Sequence, residues 1–594
     1  MDPAKPLWAG QSKLPRLPVP PLQDTAAKYL KSVRPLLSDK EFAETTKAVQ
    51  DFIKPGGVGH TLQQRLEQRS KEHVSWLADW WFSYAYMGYR DPIVINVSYF
   101  YVIRDDKLRT TQVARAASLV KGALAYRNLI NSGDVQPEMQ RGNAMDSRQY
   151  AFVFNASRVP RLPEDVCKVA DPAQHQFIVA VRNNQYFKVP VLTNDGKELS
   201  TPDLEVQLQR VIDLAGSKKT ASIGVLSADH RDVWAKNYEK LRAISPVNGA
   251  SLDAIEESIF VLCLDNESPV TREECARSAW HGDATSRYYD KHSQIIVWEN
   301  GKAAFMGEHS MIDATPTAKL VDWVADQIYH NKLSHGTASP VASLQNPVKL
   351  EFVLNGELES AVAQSQKAFN ELVGKHEVAV LASYAYGKNL VKKMGVSPDA
   401  LAQMAMQLAF FRMHGVGCAT YETANTRKFD EGRTETCRTF SDQSKKWTAS
   451  MADPTIPVKV KGQLCRAAID AHVAYMNDAL EGHGVDRHLL GLRLILKPDE
   501  PKPTIFTDPT YTKSSHWRLS TSQIPNDHFE GYGWGEVVPD GYGIAYMIKN
   551  DSLHFNVASL KPMQPHRLKA FIEEALFDIR DILLATAPPP KAKI

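Results

Sequence analysis

Residues 293–316 read S-Q-I-I-V-W-E-N-G-K-A-A-F-M-G-E-H-S-M-I-D-A-T-P. The first six have the β-branched and aromatic composition of a strand. Asn300-Gly301 is a hairpin turn signal, because both residues tolerate positive φ, and 302–307 is the returning strand. Thr315-Pro316 reads as a cap followed by a proline in the first turn, and the apolar spacing predicts a helix over 318–331. A hairpin running into a helix makes this stretch α/β. It leaves His309 at a strand-to-loop edge, where a side chain can open onto a channel, with Asp313 four residues on. Spacing alone does not make the pair a base and its orienter. With 18 histidines and 68 acids in 594 residues, one such pair is unremarkable. The alternative is a hydrogen-bonded structural histidine, and the surroundings must decide.

Outward from this stretch, helical and strand-like segments alternate throughout, with no internal repeat and no low-complexity block, so the class is α/β or α+β. An early helical region runs from about Thr25 to Trp81, broken at Lys54-Pro55-Gly56-Gly57. A second region follows Asp91-Pro92 and opens with the strand-like Ile93-Val94-Ile95. A polar linker spans 334–347. Beyond it, 349–354 starts a new strand-rich region that ends in a periodic helix (Leu568, Phe571, Ile572, Leu576, Ile579, Leu583). The expected organisation is a helical segment, 1–83, packed on the C-terminal domain; a first domain, 84–348, carrying His309; and a second domain, 349–594.

Composition narrows the function. A net charge of +2 supplies no global field for nucleic acid or an anionic membrane, so any anion site is local. Six cysteines lie far apart without a C-x-x-C, which argues against a disulfide scaffold or a zinc ribbon. No apolar run reaches the ~18 residues of a membrane span, and the Pro-rich N-terminus lacks the apolar core of a secretory signal. The terminal A-K-I resembles the S-K-L address, so a peroxisomal destination is expected, with a mitochondrial form from an alternative start as a further expectation.

Five other stretches carry chemistry. In Y-G-K-N-L-V-K-K-M-G-V-S-P-D-A (386–400), Lys388 and Lys392 share a face if helical, next to a helix start at Ser397-Pro398-Asp399. That suits a phosphate, or is a solvated lysine face. Residues 418–438 are dense in hydroxyls and arginines and suit a carboxylate or phosphate. Arg487 interrupts the apolar pattern of G-V-D-R-H-L-L (484–490). If turned inward it needs an anion, either Asp486 or a ligand carboxylate. In W-R-L-S-T-S-Q-I-P (517–525), Ser520 and Ser522 share one strand face and can donate to an oxyanion, or are ordinary edge-strand residues. The G-x-G-x-G at 531–535 opens no helix and is no dinucleotide fingerprint; its glycines suit close backbone approach or a bulge.

In this order, from L-P-R-L-P-V-P-P-L-Q-D-T (14–25) to about Leu584, these motifs resemble the carnitine/choline acyltransferase family, and most closely its fungal acetyl-transferring members. The resemblance implies two similar α/β domains, each like chloramphenicol acetyltransferase, with an active-site tunnel at their interface. It matches His309 and Asp313 to the family's base and acid, Asp standing where many members have Glu. It matches Lys388, Lys392 and Asp399 to the coenzyme A site, and Tyr421, Thr434, Arg487 and Ser520 to the carnitine site. Ser522 resembles the oxyanion donor. D-R-H-L-L and G-R-T-E replace the D-N-H-L-L and G-R-V-D of choline-specific members; choline has no carboxylate and would leave a buried Arg487 and Thr434 unsatisfied. Counting from S-T-S places Tyr532 as a plug in the acyl tunnel, which implies a short acyl group. The aromatic face of Trp534 would attract the trimethylammonium group. The implied activity is reversible acetyl transfer between coenzyme A and the 3-hydroxyl of carnitine by direct attack. Coenzyme A and acetyl-CoA are substrates, with no separate cofactor or metal, and the chain is expected to be a monomer. The rivals are a medium-chain carnitine acyltransferase and a non-catalytic binder of coenzyme A or acylcarnitine.

Overall fold

Apolar residues on both faces of long strands dictate a sheet covered on both sides. The computed structural model, which describes every residue except Met1, Arg141, Ala342 and 587–594, contains two such sheets. The A-K-I reading lies outside the described residues. In the first, eight-stranded sheet the strands run in the order 348–349, 185–190, 177–182, 261–264, 293–297, 303–307, 99–103 and 529–533. Alternate residues of its strands fill separate cores. Tyr99, Tyr101, Phe305 and Ile295 join one, and Phe100, Val102, Met306 and Ile296 the other. Helices Gln112–Ser132 and Ala314–Tyr329 cover the first of these faces.

The second, six-stranded sheet runs 376–383, 553–560, 542–548, 519–523, 420–425 and 434–438. Its topology repeats that of the first. From strand 185–190 to strand 99–103 the pairings are antiparallel, parallel, parallel, antiparallel, antiparallel. From 434–438 to 376–383 they are the same, visited by the chain in the same order. The two halves are similar α/β units, although no repeat is visible in the sequence. Strand Phe529–Gly533 breaks the symmetry: it leaves the second unit and pairs with Tyr99–Ile103 at the edge of the first sheet.

Four readings are corrected. Ile93-Val94-Ile95 is no strand but a tight turn closing on the Ile93 carbonyl, with Ile95 at φ +75°; the strand is Tyr99–Ile103. A short buried apolar run satisfies either conformation. The helix after His309 begins at Ala314, with Asp313 rather than Thr315 as its N-cap. The segment beginning at 349 starts no new sheet: Val348–Lys349 pairs with Gln185–Pro190 of the first. The linked helix Gly356–Gly374 also packs into the first unit's core through Leu358 and Phe369, so the chain does not divide cleanly at 348. The N-terminal helices (Leu22–Val33, Asp39–Ile53, Val58–Glu72) bury Tyr29, Val49, Phe52, Leu62 and Leu66 against Val485, Leu489, Leu492 and Ile505 of the C-terminal half.

Candidate active site

Three devices fix the loop that carries His309. Gly307 ends the strand where any Cβ would sit 2.4 Å from the Tyr99 ring, so only glycine lets the two strands close. Glu308, fully buried, accepts from the Ser310 N–H (3.1 Å) and from its hydroxyl, and faces Arg158 (3.4 Å). Arg433, from the second unit, donates to the His309 carbonyl (2.9 Å), the Ser310 carbonyl and the Asp313 carboxylate (2.8 and 3.0 Å). One guanidinium thus ties both halves of the molecule across the loop.

Asp313 does not hold the imidazole directly. Its carboxylate lies 4.0 Å from His309 Nδ1, and its oxygens accept from Arg433 and from Gln149 (2.8 Å). Nδ1 instead meets the Ile312 carbonyl at 3.0 Å. The direct-orienter reading is corrected because the carboxylate is taken by the Arg433 guanidinium and the Gln149 amide. Burial favours the uncharged carboxyl, but Arg433 and then His309 outweigh it and hold Asp313 down at about 2. Burial lowers the His309 pKa below 6.5; Asp313 opposes this and Arg433 adds to it. The ring is enclosed by Tyr86 (5.4 Å) and by Tyr99, edge-on at 5.3 Å, yet a third of its side chain remains open, the signature of a deep cleft. Nε2 has no partner among the described residues.

The second sheet brings its polar face to the same place. Tyr421 lies beside Ser520 in register, and Thr423 and Ser522 follow at two-residue spacing on that face. The opposite face, with Leu519, Ile544 and Tyr546, is buried in a core shared with helix Pro398–His414 and the terminal helix. Arg487, on helix Asp486–Leu494, donates Nε to the Thr434 carbonyl (3.0 Å) and Nη2 to the Thr434 hydroxyl (3.2 Å), and Trp81 lies flat on its guanidinium at 3.8 Å. Asp486 is not its partner: it forms a two-pronged pair with Arg438 (2.8 and 2.9 Å). Nη1 of Arg487 has no partner among the described residues, so the cation retains a donor for an anion. Tyr86 joins the two sets: its ring contacts His309, it feels the charges of Arg433, Asp313 and Arg487, and burial pushes its phenol up to about 12. Tyr532 is buried between Tyr101 (5.6 Å) and Trp534 (5.1 Å), with Ser522 as polar neighbour.

Lys388 is half-buried and Lys392 exposed on the short helix Lys388–Lys393, and neither ammonium is paired among the described residues. Asp399 does not extend their patch. Its carboxylate accepts from the Tyr546 hydroxyl (2.7 Å) and faces His472 (3.7 Å). His472 also meets Glu422 through Nε2 (2.9 Å) and Cys437 through Nδ1 (3.9 Å). The ligand atoms of Glu422, Cys437 and His472 all lie within 4.8 Å of one another, in a fully buried cluster already bonded through the ring. Burial disfavours the charged ring, but Cys437, Glu422 and Asp399 outweigh it and raise the His472 pKa well above 6.5.

Arg433, Gln149, Tyr86, Tyr99 and Trp81 escaped the sequence reading. Arg433 had the only usable signal, its place beside Thr434 in G-R-T. The others serve a site hundreds of residues away.

The family profile described as Choline/Carnitine o-acyltransferase matches residues 17–574. Carnitine O-acetyltransferase of Columba livia is 35% identical over 98% of this chain and 95% of its own length. The mitochondrial carnitine O-acetyltransferase of Saccharomyces cerevisiae is 34% identical over 97% and 88%, and human choline O-acetyltransferase 31% over 98% and 81%. A solved mutant of the starter condensation domain of rhizomide synthetase RzmA, bound to C8-CoA and Leu-SNAC, superposes loosely, with a TM-score of 0.34 and 11% identity over 86% of this chain and 94% of that one. The chain belongs to the choline/carnitine O-acyltransferase family.

Proposed function

We propose that the protein transfers an acetyl group reversibly between coenzyme A and the 3-hydroxyl of carnitine. The observation that carries this reading is an open imidazole nitrogen on His309 and an Arg487 cation with a donor still to give, with Tyr86 touching the first and feeling the charge of the second. Carnitine offers the matching pair, a hydroxyl to deprotonate and a carboxylate to bind. Arg487 and Thr434 take the carboxylate, Tyr421 and Ser520 line the same face, and the aromatic faces of Trp534 and Tyr86 suit the trimethylammonium group.

His309 Nε2 removes the hydroxyl proton as the oxygen attacks the thioester carbonyl. Ser522 donates to the oxyanion, the C–S bond breaks, and the departing thiolate recovers the proton from the imidazolium. Attack is direct: burial pushes the thiols of Cys167, Cys263, Cys418 and Cys465 up to about 12 and Cys275 and Cys437 to about 11, so none of the six supplies a thiolate. Lys388 and Lys392 hold a coenzyme A phosphate. Asp399 takes no part in that contact, since its oxygens face Tyr546 and His472. Tyr532 limits the acyl group to a short chain.

Thiol release from acetyl-CoA with carnitine tests the reading. His309→Ala is expected to cut kcat by about 10²-fold or more. Arg487→Asn is expected to raise the KM for carnitine by about a hundredfold, the cost of truncating a buried charge partner, while sparing that for acetyl-CoA. Near-normal turnover in the first variant, or equal losses for both substrates in the second, overturns it.

A further inference from the structure

The acyl end of the site is closed by more than one ring. Register across the first sheet pairs Ile295 with Phe305, Phe305 with Tyr101, and Tyr101 with Tyr532. These residues form one row across four strands, on the face covered by helices Gln112–Ser132 and Ala314–Tyr329. Tyr99 lies two residues before Tyr101 and so on the same face, edge-on to His309. A path from His309 along this face meets Tyr99 and Tyr532, then Tyr101. Phe305, on which Tyr101 stacks, borders an apolar hollow of about 20 Å³ lined also by Ile103, Leu119, Ile295, Leu320 and Val324, all less than a tenth exposed; Tyr101 itself does not line it.

Tyr101 is held where it stands. Its ring is stacked on Phe529 (4.5 Å, 15° between planes) and on Phe305 (5.7 Å, 16°). Its hydroxyl donates to the Ala314 carbonyl (2.7 Å) and meets the Thr317 hydroxyl (3.1 Å), both in the first turn of the helix that Asp313 caps. A ring with near-parallel neighbours and a bonded tip cannot swing aside for an alkyl tail without losing those contacts. The hollow beside Phe305 has room for little more than one water, so space for a tail must come from the volume of the Tyr101 ring itself.

We infer that Tyr101 is a second chain-length-determining residue, standing behind Tyr532, and that the two rings in series exclude acyl chains that either alone would leave partly blocked. The inference rests on the acetyl-transfer reading above. Removing Tyr532 alone opens the space up to Tyr101, enough for a few added carbons. A medium chain needs the volume of both rings.

The test uses the full chain as wild type, Tyr532→Gly, Tyr101→Val and the double variant, each assayed with acetyl-, butanoyl- and octanoyl-CoA and carnitine. The readout is the ratio of octanoyl to acetyl kcat/KM within one preparation, so that the folded fraction cancels. Tyr101→Leu, which keeps more of the packing, replaces Tyr101→Val if that variant does not yield soluble protein. Tyr532→Gly alone is expected to raise the butanoyl ratio. The double variant is expected to raise the octanoyl ratio by about tenfold or more over the product of the two single effects, as for side chains in contact. A Tyr532→Gly variant that by itself matches the double, or a double no better than that product, overturns the role of Tyr101. A wild type that fails to turn over acetyl-CoA with carnitine, or takes octanoyl-CoA as readily, overturns the underlying reading instead.

Discussion

A carbonyl oxygen accepts and never donates, so the 3.0 Å contact between His309 Nδ1 and the Ile312 carbonyl puts the proton of the neutral ring on Nδ1 and the lone pair on Nε2. The imidazole proposed as base is set up by the backbone of its own loop, and Asp313 contributes its charge from 4.0 Å while anchoring Arg433. This fixes the sign of the pH dependence. Transfer from acetyl-CoA needs the neutral ring, the form present above its pKa, and burial has moved that pKa below 6.5. With Asp313 anionic down to about 2, no second group of the pair titrates nearby. The kcat/KM for carnitine is therefore expected to hold as pH falls through 7 and to drop only below 6.5. A pH–rate profile with its acid limb centred at or above 6.5 contradicts this. The sequence exposes His309 and Asp313 as a pair, but not how they cooperate. A spacing of four residues says nothing of Ile312, whose carbonyl takes the bond, or of Arg433, 120 residues away, which takes the acid.

Strand Phe529–Gly533 joins the two halves, and its glycines show what the joint tolerates. A Cβ on Gly533 would lie 2.6 Å from the Phe100 ring and 2.5 Å from Asn556 Nδ2, with both neighbours packed from opposite units. Gly531 is looser, 3.1 Å from Val102. Gly533→Ala is expected to destabilise by about 1–3 kcal/mol, the usual cost of overpacking, read as a lower urea midpoint at unchanged slope. An unshifted midpoint means that the strand gives way freely. Close backbone approach is legible in G-Y-G-W-G, because only glycine admits it. The partner strand is not, since Tyr99–Ile103 lies more than 400 residues earlier and no local pattern encodes that pairing. The hairpin at 293–307 is legible for the opposite reason: its turn and both strands are contiguous.

The whole molecule is one topology used twice, with chemistry in one copy. After the fifth strand in the row, the first unit places Glu308-His309-Ser310 before its helix, whereas the second places Lys561-Pro562-Met563 before the helix Pro565–Ala585. The second copy carries the residues proposed for recognition, Tyr421, Thr434 and Arg487, and it reaches back to hold the first by strand 529–533 and Arg433. The N-terminal helices, resting on residues 485–506, add a third tie. Divergence of the two copies hides the repeat from the sequence, because paired strands keep only their apolar alternation. These ties predict that the covalent link between halves is dispensable once the protein has folded. The linker tip, Thr337 to Pro340, is exposed, so a protease site inserted between Ala338 and Ser339 can be cut in the native state. The two fragments are expected to co-elute in gel filtration, to keep transferring acetyl groups, and to melt in a single transition, because neither half keeps its sheet edge or its helical cover without the other. Fragments that separate, or a cut protein that melts in two steps, would show that the interlocking strand contributes little and that the halves are independent domains tethered by a linker.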